Sequence, residues 1–213
     1  MKNVRLGEAR LYGILDLGYV GSCQLVDMAR RLTAPGGVDV LQLRAKGFSA
    51  AEVTTFARPL VPMTREAGVP LIINDFPEVA LEVDADGVHV GQDDAQVESV
   101  RQLLGPDRII GKSTHSLEQA RAAFGQPVDY IGFGPIFATP TKPEYQPIGP
   151  SDIATVESES PVPVFCIGGI KRENLSEVLG AGALRIVIVS GLLVAEDLSG
   201  YLRDVREQLN RGA

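Results

Sequence analysis

The sequence predicts a single-domain (β/α)8 barrel over residues 1–213, and three observations carry that prediction. Short apolar runs alternate with amphipathic segments along the whole chain, the pattern of βαβ units in a parallel sheet. The apolar runs are nearly continuous Val, Ile and Leu, as expected of strands covered on both faces. Eight such units fit into 213 residues, a compact version of a fold that usually takes roughly 250.

Taken in order, strands are predicted near 11–16 (LYGILD), 38–44 (VDVLQLR), 70–74 (PLIIN) and 86–90 (DGVHV). Four more follow near 108–113 (RIIGKS), 128–133 (VDYIGF), 162–167 (VPVFCI) and 184–190 (LRIVIVS). Helix-compatible stretches between them include 22–34, 49–67, 95–104, 116–124, 171–180 and 197–210. The competing architecture is a doubly wound open sheet, but its dinucleotide fingerprint is incomplete. The stretch from Gly132 to Phe137 has the first two glycines and Phe at the third position. A phosphate loop is likewise rejected at Gly105 to Ser113, where five residues separate the glycines instead of four and the apolar Ile109-Ile110 lies inside the loop. No low-complexity tract or linker divides the chain.

Composition narrows the function. A hydrophobic content of 45% supplies a large core, and no apolar run approaches the roughly 20 residues that span a bilayer. The start, MKNVRLGEARLYG, lacks the apolar core of a signal peptide, so a cytoplasmic protein without membrane partners is expected. A net charge of −7 argues against general nucleic-acid binding, and any phosphate-bearing ligand then needs local cations or a metal. Cys23, in the first helical stretch, and Cys166, in an apolar strand, are expected to be small buried hydrophobes in a reducing compartment. His89 and His115 lack zinc-ligand spacing. A homo-oligomer is left open.

In a (β/α)8 barrel the active site lies where the strands run into the following loops. Strand 2 ends in Gln42-Leu43-Arg44-Ala45-Lys46, strand 3 in Asn74-Asp75, and strand 4 leads to Gln92-Asp93-Asp94. Strand 5 brings Ser113-Thr114-His115, and strand 6 runs into GPIFATPTK with Thr139, Pro140, Thr141 and Lys142. Strand 7 ends in Gly168-Gly169 and strand 8 in Val189-Ser190-Gly191. Loops 7 and 8 are where this fold commonly binds phosphate through backbone N–H groups, which glycines leave open to approach. Arg44 and Lys46, two apart on an extended chain, point to the same side. Carboxylates from two adjacent loops beside Arg44, Lys46 and Lys142 point to Mg²⁺ bridging protein and polyphosphate. Two phosphate-bearing substrates, one a diphosphate, account for this layout.

Seven segments, QLRAK, IINDFPEVA, DGVHVGQDD, IIGKSTHS, DYIGFGPIFATPTK, PVFCIGGI and the VS after strand 8, resemble the thiamine phosphate synthase (thiamine phosphate pyrophosphorylase) family over nearly the whole chain. The resemblance implies coupling of hydroxymethylpyrimidine diphosphate to a thiazole phosphate, or its carboxylated form, with release of thiamine phosphate and pyrophosphate. It implies that Gln42, Leu43, Arg44, Ala45, Lys46, Asn74, Ser113 and Lys142 contact the pyrimidine diphosphate. Of these, Arg44, Lys46, Ser113 and Lys142 would be the catalytic set. It implies that Asp75 and Asp94 hold Mg²⁺, although spacing alone does not separate Asp93 from Asp94. Thr139, Pro140, Thr141, Gly169, Val189 and Ser190 would contact the thiazole substrate.

Two rival enzymes share the fold. A thiazole tautomerase-like isomerase would use His115 as acid and base, since histidine titrates near neutrality. It has no departing diphosphate and no use for Asp75, Asp94, Arg44 and Lys46 together. A Schiff-base aldolase would use Lys142 as nucleophile, a role that the carboxylate set does not serve.

Overall fold

A computed structural model describes residues 6–139 and 146–211. Among these, parallel strands close into a barrel in chain order. They are β1 (Leu11–Asp16), β2 (Val40–Arg44), β3 (Leu71–Asn74), β4 (Gly87–Val90), β5 (Ile109–Thr114), β6 (Tyr130–Phe133), β7 (Val164–Cys166) and β8 (Ile186–Ile188). Pairing of β1 with both β2 and β8 closes the ring. The helices are α1 (Leu25–Leu32), α2 (Ala50–Ala57), α3 (Leu60–Ala67), α4 (Pro77–Glu82), α5 (Val97–Leu104), α6 (Leu117–Phe124), α7 (Ile153–Glu159), α8 (Leu175–Gly180), α9 (Ser190–Leu193) and α10 (Leu198–Arg211).

The helical ring differs from the predicted stretches at points with local causes. The stretch 49–67 is two helices, because Pro59 has no N–H to give and its ring displaces the carbonyl four residues back. A reciprocal capping box between Ser49 and Glu52 starts α2, and Gly68 at φ 70° stops α3. The stretch 171–180 contracts to α8, since Asn174 Oδ1 accepts the Lys171 N–H at 2.7 Å and holds the entry as a turn. The short α4 and α7 were absent from the predicted stretches. Cys23 corrects an expectation: it lies in a 3-10 turn at Ser22–Gln24, ahead of α1, and is exposed. Cys166 is buried in β7, where burial and the charge of Glu157 push its thiol pKa up.

Strand parity sorts the side chains into two cores. Tyr12, Ile14, Val40, Ile72, Ile109, Tyr130, Phe165 and Val187 fill the barrel interior. Leu11, Leu15, Leu41, Leu43, Ile73, Val88, Ile110, Phe133 and Ile188 face outward and pack with helix residues such as Ala29, Val53, Val100 and Val205. Each fully buried aliphatic side chain contributes about 1.5–3 kcal/mol. At the N-terminal end of the barrel, Asp39 accepts the N–H groups of Arg10 and Leu11 and takes a two-pronged ion pair from Arg206, at 2.9 and 2.7 Å. That one carboxylate ties the start of β1 and the lead into β2 to α10, leaving the opposite end for chemistry. Among the described residues no helix is long and apolar enough to cross a membrane.

Candidate active site

The interior parity that places Tyr12 and Val40 inside also brings Gln42, Arg44, Asn74, His89 and Ser113 inward at the C-terminal ends of β2 to β5. They line one side of a cavity of about 740 Å³, open mouth included, and Thr139, Gly168, Gly169, Val189 and Ser190 line it as well. Leu43 and Ala45 have the other parity and belong to the outer core, so only their backbone faces strand neighbours near the cavity. Pro140, Thr141 and Lys142 lie outside the described residues.

The two described cations of the predicted set are held differently. Arg44 Nη1 is 2.6 Å from Asp16 Oδ2, with 13% of the arginine side chain and 3% of the aspartate exposed. This partner, at the end of β1, was not among the predicted site residues. Its signal was the acid closing LYGILD at an inward position. Lys46 is 71% exposed, past the end of β2, with Nζ 3.8 Å from Asp75 Oδ2.

Asp75 is half-buried at φ 66°, a left-handed conformation that Asp tolerates better than most residues. Its N–H donates to the carbonyl of His89 at 2.9 Å, which stitches the end of β3 to the end of β4. In the loop after β4, Asp94 Oδ2 accepts the Gly91 N–H at 2.6 Å, folding the carboxylate back over its loop, while Asp93 is exposed. Lys112, buried on the outer side of β5, donates from Nζ to the Gly91 carbonyl at 3.0 Å and braces the same loop. Among the described residues no cluster of three or more His, Cys, Asp and Glu is arranged as a metal cage.

Across the mouth, the chain after β6 is laced to the end of β7. Ile136 and Phe137 donate to the carbonyls of Ile167 and Gly168 at 2.8 and 2.9 Å. Gly168 and Gly169 sit at φ 99° and 64°, and a side chain on either would strike this lacing at Pro135 or Phe137. Val189 precedes the short α9, so Ser190 opens a helical turn directly above β8. Loops 7 and 8 thus bring Gly168, Gly169, Val189 and Ser190 to the cavity.

His115 Nδ1 lies 2.6 Å from the Gly134 carbonyl, an acceptor, so this nitrogen donates and the ring anchors the start of the β6 loop. Sequence reasoning missed a second group. His89, weighed there only as a zinc ligand, joins Ser113, Tyr130, Tyr12 and Gln42 in the barrel interior. Counting parity from Gln42 and Ser113 would have found all three added side chains.

The family model for thiamine monophosphate synthase matches residues 11–192. The thiamine-phosphate synthase of Pelotomaculum thermopropionicum is 43% identical over 206 residues, 96% of this chain and 94% of that protein. That of Halalkalibacterium halodurans is 47% identical over 166 residues, 78% of this chain and 79% of that protein. The solved thiamine phosphate pyrophosphorylase of Pyrococcus furiosus superposes with a TM-score of 0.86 at 31% identity, covering 97% of this chain and 98% of that one. Barrel, strand-end chemistry and relatives agree, and the chain belongs to the thiamine monophosphate synthase family, enzymes of thiamine biosynthesis.

Proposed function

We propose that this chain couples 4-amino-2-methyl-5-hydroxymethylpyrimidine diphosphate to 4-methyl-5-(2-phosphoethyl)thiazole, or its carboxylated form, releasing pyrophosphate and thiamine phosphate. The observation that carries the reading is one cavity with two unlike walls. Side chains that hydrogen-bond or carry charge, Gln42, Arg44, Asn74 and Ser113, form one wall, and Gly169, Val189 and Ser190 of loops 7 and 8 form the other. The first wall suits an aminopyrimidine and its diphosphate. The second suits a phosphate monoester, held as loops 7 and 8 commonly hold one.

The chemistry needs no nucleophile–base pair. The electron-rich aminopyrimidine supports positive charge at its exocyclic CH₂, so the C–O bond breaks with its electron pair leaving on pyrophosphate. The thiazole nitrogen then gives its lone pair to that carbon and forms the C–N bond. Arg44, Lys46 and Lys142 oppose the growing charge on the leaving group, and the walls hold the two rings in line. Ser113 and Gln42 orient the pyrimidine. Asp16 orients Arg44 through the 2.6 Å pair and keeps its guanidinium at the cavity.

Asp75 and Asp94 fit Mg²⁺. That ion takes one or two carboxylates and fills its remaining positions with phosphate oxygens and water, and two acids from stitched, adjacent loops supply that much and no closed cage. When bound, it would neutralise the pyrophosphate oxygens. Incubating the protein with both phosphorylated substrates and Mg²⁺ should yield thiamine phosphate and pyrophosphate in equal amounts. Pyrophosphate release that does not depend on the thiazole substrate would contradict coupling.

A further inference from the structure

Five side chains from five strands form a continuous hydrogen-bonded chain inside the barrel. Gln42 Nε2 donates to the Tyr12 hydroxyl at 2.9 Å. Tyr12 and Tyr130 hydroxyls are 2.9 Å apart, and Tyr130 reaches His89 Nδ1 at 3.0 Å. His89 Nε2 then meets Ser113 Oγ at 2.9 Å. Both ends line the cavity, while Tyr12 and Tyr130 are each 1% exposed.

We propose that Tyr12, Tyr130 and His89 are positioning residues that fix the hydrogen-bond polarity of the cavity, holding Gln42 as an acceptor and Ser113 as a donor toward the substrate. The direction follows from the Gln42 end, because an amide NH₂ group only donates. The Tyr12 oxygen accepts there, and its own hydrogen goes to the Tyr130 oxygen. The Tyr130 hydrogen goes to His89 Nδ1, and the one hydrogen of the neutral ring, on Nε2, goes to Ser113 Oγ. Every link then carries one hydrogen. In the opposite direction Gln42 and Tyr130 both donate to Tyr12, and the buried Tyr12 hydrogen has no acceptor among the described residues, which costs its full desolvation. Burial raises the pKa of both phenols, so both keep their protons.

Packing holds the chain in this geometry. The rings of Tyr12, Tyr130 and Phe165 stand 5.3–5.8 Å apart, and Tyr130 lies over Gly111, where a side chain would collide with it. Accepting from His89, Ser113 has its own hydrogen free to donate into the cavity. Gln42, with one N–H spent on Tyr12, keeps its carbonyl oxygen as acceptor. A donor and an acceptor on one wall complement a ring nitrogen beside an exocyclic amino group, the edge of an aminopyrimidine, and this last step rests on the function proposed above.

The test is ring-nitrogen NMR on ¹⁵N-histidine-labelled protein without substrate, with His115→Asn identifying the second histidine. The expected spectrum shows His89 neutral, protonated on Nε2 only. A hydrogen on Nδ1, or a doubly protonated ring, would overturn the assigned direction. Tyr130→Phe keeps the ring packing and cuts the chain. It should release the fixed tautomer and raise KM for the pyrimidine diphosphate about tenfold with kcat nearly unchanged. It should also add little to Ser113→Ala in the double variant. An unchanged tautomer and KM in Tyr130→Phe would overturn the positioning role. The spectrum needs no substrate, so it judges the chain separately from the coupling assay.

Discussion

Asp16 and Arg44 are direct partners in the β1–β2 register, and the Arg44 guanidinium donates to the Asp16 carboxylate at 2.6 Å beneath the cavity. The same carboxylate accepts the Gly18 N–H at 2.8 Å, which fixes it at the strand end. The arginine proposed to meet the diphosphate is thereby aimed by a buried acid rather than left to swing.

Asp16→Asn should therefore damage both stability and binding. Removing one charge of a buried pair leaves the other uncompensated, a loss of about 3 kcal/mol in urea unfolding. Kinetics on the same variant should show a KM for the pyrimidine diphosphate at least about tenfold higher, as the guanidinium loses its orientation. An unchanged KM would mean that Arg44 does not meet the diphosphate.

The two substrates should separate by residue. Lys142→Ala is expected to lower kcat by about 10²–10³-fold under the role proposed for it, since a cation that meets the leaving group acts most strongly as charge develops. Ser190→Ala should mainly raise KM for the thiazole phosphate. A Ser190 effect confined to the pyrimidine diphosphate would reverse the two subsites.

His115→Asn tests whether that histidine moves a proton. Its Nδ1 donates to the Gly134 carbonyl, so the variant should lose about 1 kcal/mol of stability and retain coupling within roughly tenfold. Abolished coupling in a folded variant would give the imidazole a chemical role.

Much of this was legible in the sequence because barrel strands are apolar on both faces. Runs such as Leu71-Ile72-Ile73 and Ile186-Val187-Ile188 read as strands whatever their parity, and the strand-end polar residues followed from that. Parity itself was harder to read. Leu43 and Ala45 sit in the same motif as Gln42 and Arg44 yet face the outer core. Tyr12, His89 and Tyr130 look like ordinary strand residues until the closed ring brings them together. The break at Pro59 was visible in principle, but amphipathic spacing on both sides masked it.

At the N-terminal end, Asp39 should govern part of the acid stability. Burial works to raise its carboxyl pKa, but hydrogen bonds from Arg206 and from the Leu11 and Arg10 amides outweigh it and hold the pKa below its ordinary value. A carboxyl with a lowered folded-state pKa contributes stability that is present above its unfolded value and is lost as pH falls through the folded one. Urea unfolding from pH 6 down to pH 2 should show a shallower acid loss in Asp39→Asn, from a lower starting stability. Parallel curves for parent and variant would mean that Asp39 does not carry the effect.

Asp75 and Asp94 are proposed to hold one Mg²⁺ together for the departing pyrophosphate. The most direct measurement is a Mg²⁺ titration of coupling for the parent and for Asp75→Ala, Asp94→Ala and Asp93→Ala. Expected are a metal-dependent parent, losses on the order of a hundredfold or more for Asp75 and Asp94 with partial recovery at high Mg²⁺, and a far smaller loss for the exposed Asp93. Metal-independent coupling by the parent, or an Asp93 variant as impaired as the Asp94 variant, would contradict that assignment.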